Sequence, residues 1–401
     1  MHTVECLEST EYQRFLENFE TASYQQTPQW GDARSQIWDY EVLGIRDSTG
    51  ALVAATLVKY KNLPGTRFRF AYIPQGPLID WAAPGALEQL QALTAHLRAR
   101  NIFAVRIAPP LKLRSWHADT VKKGLTDPSV VRFDDLAPDD TNPGGSDIVR
   151  QLSRLGWKEV RGNKEAEASQ PRFNFHLSLE GGSEQAVSSR MSKTWRKNIR
   201  KAERAGVQAQ TGELADLDEV LRILAETADR NHFNAKPRSY IESVLTTLAV
   251  DFPGRITFDV ARHNGEVLAA EATAQIGRRV QGIFAATSTL RPEVRPSNAL
   301  YWEIIRRAVA DGVELIDIGG VQDTLDPDVP TAGLIHFKAG MGADAHEYIG
   351  VWDLPLRPRI YTAFSSLLTL RDLAQSDATH KMRDLVSRLG EYSHRGVKVG
   401  S

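Results

Sequence analysis

Cysteine is almost absent from this 401-residue sequence, with Cys6 standing alone. A single thiol excludes a disulfide framework and a cysteine-based zinc site, and it fits a reducing compartment. Long apolar runs are missing too. No stretch approaches the ~20 consecutive apolar residues of a membrane span, and the opening residues lack the basic and apolar regions of a secretory signal. The expectation is a cytoplasmic protein that reaches any membrane-linked substrate from the inner face, as a peripheral protein. Charge of one sign is also lacking. The formal net charge is -1, so no global field draws the chain onto polyanions, and any such contact must come from a local patch. P-loop, His-Glu-x-x-His and Gly-x-Ser-x-Gly motifs do not occur, which sets aside the chemistries those spacings serve. The ten histidines are scattered without ligand spacing, so no metal is expected.

What is present is a globular composition, 42% apolar and 25% charged, over a length that suits two domains of ~100–200 residues each. A faint internal duplication organises it. Residues 40–60 alternate in polarity around a polar turn closing at Gly50, and residues 256–276 repeat the plan around Gly265; both read as β-hairpins. Arg46 and Arg262 precede the turns, and Ala54-Ala55 and Ala269-Ala270 follow them. Downstream, Leu87, Leu90, Leu93 and Leu97 have helical spacing before a strand at 102–107, as Leu300, Ile304, Ile305 and Ala308 do before a strand at 313–318. Two α/β domains of similar topology follow: residues 1–168, completed by 350–375, and residues 169–349, with 376–401 as a C-terminal helix and tail. A new strand is expected from Phe173. The Asp-, Pro- and Gly-rich stretch 135–146 reads as a loop or insertion.

Three segments carry chemistry. Residues 189–206 form a helix in which Arg190, Lys193, Arg196, Lys197, Arg200, Lys201 and Arg204 make a broad basic face, with Trp195, Ile199 and Ala202 inward. Cations stacked at these spacings repel one another, so a phosphate-bearing partner relieves a real cost; a merely solvated face is the plain alternative. In the second segment, residues 336–342, Lys338 is expected where a strand runs into a glycine turn, and a snorkelling surface lysine is its plain alternative. The third, residues 73–80, holds a rigid Gly76-Pro77 turn.

Together with Gln29-Trp30, residues 197–207, the 316–320 strand and Tyr348-Ile349-Gly350, these segments resemble the FemABX family over residues 22–364. That family builds or branches peptidoglycan interpeptide bridges. The resemblance implies an α/β fold of two tandem acetyltransferase-like (GNAT) domains. With no extended charged heptad region here, it implies the armless, FemX-like type. It implies an aminoacyltransferase that needs no cofactor. The enzyme moves glycine, alanine or serine from a charged tRNA to the third stem residue of lipid II or UDP-MurNAc-pentapeptide. Carried over position by position, the precursor-binding residues are Arg34, Lys236 (or Arg238), Tyr240, Phe284 and Phe337, and Lys338 stabilises the acyl-transfer intermediate. Phe284 replaces a family tyrosine and Ala108 a family acid. The basic helix, at Arg190, Lys193, Lys197, Arg200 and Arg204, is the expected tRNA contact, and Asp317 is a candidate general base, with a structural aspartate on a buried strand as its equal alternative. Three rivals remain. One is an acetyl-CoA-dependent N-acetyltransferase, although residues 291–298 lack the glycines of a pyrophosphate loop. The others are transfer to a small metabolite and a non-catalytic binding protein.

Overall fold

The computed structural model describes residues 2–161, 170–231, 235–251, 256–329 and 331–368. The expected C-terminal helix and tail after residue 376 lie outside them. The first half supplies β1 (Thr3–Cys6), α1 (Ser9–Asn18), α2 (Pro28–Ala33), β2 (Asp39–Arg46), β3 (Leu52–Asn62), β4 (Arg69–Ile73), α3 (Ala86–Arg98) and β5 (Ile102–Ile107). Then come β6 (Lys112–Trp116), α4 (Ala118–Gly124), β7 (Asp140–Thr141), α5 (Pro143–Arg154), β8 (Lys158–Glu159) and β9 (Phe173–Ser178). Helices α6 (Glu184–Arg190) and α7 (Lys193–Arg204) precede β10 (Gln208–Thr211), α8 (Leu217–Asn231) and α9 (Arg238–Asp251). The chain continues through β11 (Ile256–His263), β12 (Glu266–Ile276), β13 (Arg279–Thr287) and α10 (Pro296–Ala310). After these come β14 (Leu315–Val321), α11 (Thr331–Met341), β15 (Asp344–Tyr348) and β16 (Trp352–Pro355), with a helical stretch over 358–368 beyond them.

These strands make two sheets, ordered β1-β2-β3-β4-β5-β16-β8 and β10-β11-β12-β13-β14-β9-β15-β6-β7. In each, a hairpin is followed by a third antiparallel strand, a crossover helix and a parallel fourth strand: β2-β3-β4-α3-β5 and β11-β12-β13-α10-β14. The copies agree down to an irregularity of register. The ladder slips by one residue at Ile45/Arg46 in the first hairpin and at Ala261/Arg262 in the second. Both arginines then pair with acids, Arg46 with Glu5 and Glu11, and Arg262 with Asp216 and Glu219. The architecture is a tandem of acetyltransferase-like α/β units, with no coiled-coil arm among the described residues.

The chain weaves between the sheets. Strands β6 and β7 pair in the larger sheet, and β16 returns to pair with β5 in the smaller. Asp353 on β16 is fully buried and accepts a two-pronged pair from Arg106, at 2.7 and 2.8 Å. A core shared by Tyr12, Leu16, Trp30 and Leu57 from one half with Val244, Ala274 and Ile276 from the other fuses the units. Two sequence expectations change. The stretch 135–146 is not all loop: it holds β7 and starts α5, where Asn142 caps Gly145 N–H at 3.0 Å and Pro143 occupies the first turn, which needs no N–H. Residues 189–206 are two helices, because Ser192 turns the chain and caps Trp195. Arg190 therefore belongs to α6.

Candidate active site

Strands β13 and β14 pair over only three residues, ending at Gln281 and Asp317. Beyond that point a register slip opposite Ala272/Thr273 bends β13 away. Three glycines surround the parting. A Cβ on Gly282 would lie 2.8 Å from Glu271 Oε1, and one on Gly320 would strike the Pro171 ring. Gly319 has φ +79°, a backbone that side-chain-bearing residues rarely adopt.

Lys338 reaches this point from α11, not from a strand end as expected. Ile335 and Ala339 bury themselves at helical spacing on the same element and fix it as a helix. The Lys338 ammonium donates to Gly319 O at 2.8 Å and Gly320 O at 3.0 Å, and it stands 5.8 Å from the centre of the Phe175 ring. Only 5% of the residue is exposed. Burial pulls its pKa down to about 8, against the opposing pull of Asp317 and Glu271. Two of its three N–H groups serve the carbonyls, leaving one for a ligand.

Asp317 is poorly suited to the base role considered for it. Burial alone would raise its pKa, but His176, the Arg279 guanidinium at 2.7 Å and the Gly319 amide hold it well below the usual carboxylate range. Tyr348 and His346 pack around the same histidine. Glu271, which sequence reasoning passed over, has the opposite character. It is 3% exposed on β12, accepts one hydrogen bond from Tyr301 Oη at 2.8 Å, and burial pushes its pKa up to about 8.

A second group of sequence-chosen residues gathers where α2 and α9 meet beside β3. The Arg34 guanidinium lies 4.6 Å and Lys236 Nζ 5.8 Å from the centre of the Tyr240 ring, which meets Trp30 edge-on at 6.1 Å. Arg238, the alternative to Lys236, is tied to Asp218 and Glu242. Sequence reasoning missed Lys59. It is 5% exposed among Trp30, Trp38 and Tyr72, with its Nζ 5.4–5.9 Å from the ring centres. Burial and then Arg34 lower its pKa to about 7, and no acid offsets them. This end connects to the glycine-rich parting through Tyr24, which packs edge-on against Trp30 and donates its backbone N–H to Gln281 beside Asp317.

Two expected residues lie elsewhere. Phe284 packs on Phe258 in the core under α8 and α9, the sheet face opposite Lys338. The Phe337 ring turns to Trp195 and Tyr301, 5.2 and 5.5 Å away. Ala108 and the 74–77 turn are scaffold: the Ala108 amide donates to Ile73 O and Gly76 O, and Gln26 fills the turn from below.

The basic segment lies directly behind Lys338. Trp195 of α7 donates its indole N–H to Phe337 O at 3.0 Å, and Ser192 N–H bonds Gly340 O at 2.8 Å. Arg190 and Arg196 are committed to backbone carbonyls around α6. Lys193, Lys197, Arg200, Lys201 and Arg204 are exposed, and none has an ion-pair partner among the described residues. No trio of His, Cys, Asp or Glu gathers as metal ligands among those residues.

The chain matches the FemAB family profile over residues 7–266 and 258–368. It is 19% identical over 417 residues to the Staphylococcus haemolyticus protein named lipid II:glycine glycyltransferase, covering 88% of this chain and 92% of that one. It is 20% identical to the aminoacyltransferase FemA of Staphylococcus aureus, covering 84% and 90%. The crystal structure of FemX superposes with a TM-score of 0.73 at 16% identity, over 90% of this chain and 99% of that one.

Proposed function

From the premise that this chain belongs to the FemAB family, we propose that it moves an amino acid from a charged tRNA onto an amine of a peptidoglycan precursor. The favoured reaction carries glycine, with alanine or serine next, to the third stem residue of lipid II or UDP-MurNAc-pentapeptide, building the interpeptide bridge. A relative named for glycine and lipid II supports that order. The carrying observation is a buried ammonium at a glycine-walled strand opening, set directly against an exposed row of unpaired cations.

The amine attacks the ester carbonyl joining the amino acid to tRNA, and charge builds on the carbonyl oxygen. Lys338, with an N–H to spare beside Gly319, offsets that charge, and the rigid strands hold the reactants in place. The tRNA phosphates lie along Lys193, Lys197, Arg200 and Arg204. The precursor's phosphates lie at Arg34, Lys236 and Lys59, next to the Tyr240 and Trp30 rings. No helix among the described residues is long and apolar enough to cross a membrane, and contact with lipid II is proposed to be peripheral, from the cytoplasmic side.

The deciding experiment incubates the purified protein with lipid II or UDP-MurNAc-pentapeptide and each charged tRNA, then weighs the products. A precursor heavier by one aminoacyl residue is expected. Failure with every tRNA and both precursors removes the proposal.

A further inference from the structure

Accepting the proposed acyl transfer as the reaction, we infer that Glu271 takes the proton from the attacking amine and hands it to the departing ribose oxygen. The bond changes balance without another reactant. The amine nitrogen bonds to the ester carbon, the bond from that carbon to the ribose oxygen breaks, and the proton lost by nitrogen ends on that oxygen.

The assignment begins with position. Glu271 projects from β12 on the face shared with α10 and α11, and its Oε1 occupies the space a side chain at residue 282 would fill. The absence of a side chain at Gly282 therefore leaves the carboxyl at the parting of β13 and β14, where Lys338 arrives from the other side. Oε2 is fixed by Tyr301, and Oε1 has no hydrogen-bond partner among the described residues. One oxygen anchored and the other free is the arrangement a proton acceptor needs.

The duplication supplies an internal control. Aligned on Ala54-Ala55 and Ala269-Ala270, the first copy has Thr56 where the second has Glu271. The fold thus tolerates a small hydroxyl at this place in β3, and the carboxyl in β12 is not demanded by strand packing. Its surroundings disfavour the charged form on balance: burial and Asp259 of β11, itself paired with Arg307 of α10, raise its pKa, while Tyr301 and Lys338 lower it. A base that ionises near neutrality can also return its proton. Asp317, bound by Arg279 and the Gly319 amide, does not meet that condition.

The test uses the full chain with lipid II and charged tRNA, measuring kcat/KM between pH 5.5 and 6.5, where Lys59 keeps its charge. In the wild type, both the amine and Glu271 must lose a proton, so the logarithmic slope approaches two. Glu271→Gln is expected to lower kcat by ~100-fold or more, to leave both KM values nearly unchanged and to reduce the slope to one. It should be at least as stable as the wild type at pH 7.5, because a carboxyl with a raised folded-state pKa opposes folding increasingly as pH climbs from its unfolded value through the folded one. Tyr301→Phe removes a hydrogen bond to the charged form and should move the acid limb up by about one unit. A slope of two in Glu271→Gln, or an unmoved limb in Tyr301→Phe, overturns the assignment while the acyl-transfer reading stands. A wild type inactive with every charged tRNA overturns both.

Discussion

Replacing Lys338 by methionine separates catalysis from folding, and the structure sets both magnitudes. Burial takes the ammonium from 10.5 to about 8, which weighs ~3 kcal/mol against the charged form. The folded-state pKa lies below the unfolded one, so this penalty acts in full below pH 8 and fades between pH 8 and 10.5. Methionine abolishes it but leaves the Gly319 and Gly320 carbonyls without their donor, at about 1–3 kcal/mol for each if water stays excluded. The two effects oppose each other and are comparable, so Lys338→Met should remain folded. Its stability should lack the wild-type rise between pH 8 and 10.5. Transfer should nonetheless fall ~100–1000-fold in kcat, the usual consequence of deleting one donor to a tetrahedral oxygen. Single-turnover transfer of a labelled amino acid, run beside urea unfolding at pH 7 and pH 10, reads both quantities. Unchanged turnover would remove Lys338 from the mechanism. A rate loss matched by unfolding would reduce it to a structural lysine.

Three further outcomes follow from the same geometry. Reversing Lys193, Lys197 and Arg200 to glutamate should raise the apparent KM for charged tRNA and flatten its salt dependence by about two to three units of slope; equal damage to precursor binding would argue against a tRNA role. Lys59→Met should weaken precursor binding about tenfold, the loss of one charge-assisted contact. It should also stabilise the fold at pH 7, since burial and Arg34 oppose the charge there; an unchanged precursor affinity in calorimetry would exclude Lys59 from the phosphate site. Asp353→Ala should cost about 3–5 kcal/mol, because it strands the Arg106 cation inside the protein. A urea midpoint near that of the wild type would show that β16 is held by other contacts.

Much of the scaffold was readable along the chain because it is locally encoded. The alternation around Gly50 and Gly265 made both hairpins, and the leucine spacing before residue 102 made α3. Local pattern misled where a second influence acted. The glycines after Lys338 suggested a strand end, yet Ile335 and Ala339 pack as a helix. The basic run looked continuous, yet Ser192 divides it.

The sequence by itself determined the duplicated hairpin-helix-strand plan and singled out Lys338, Arg34 and Tyr240 as residues worth following. Periodicity reports which face of an element is apolar, and that is enough to build each unit. Only the tertiary structure decided that Arg34 meets Tyr240, that β6 and β16 exchange sheets, and that Glu271 and Lys59 are buried titratable groups. A carboxylate or an ammonium in a strand reads as solvent-facing until the layer above it is known. What changes its chemistry is the loss of water, and that loss comes from residues distant in the chain.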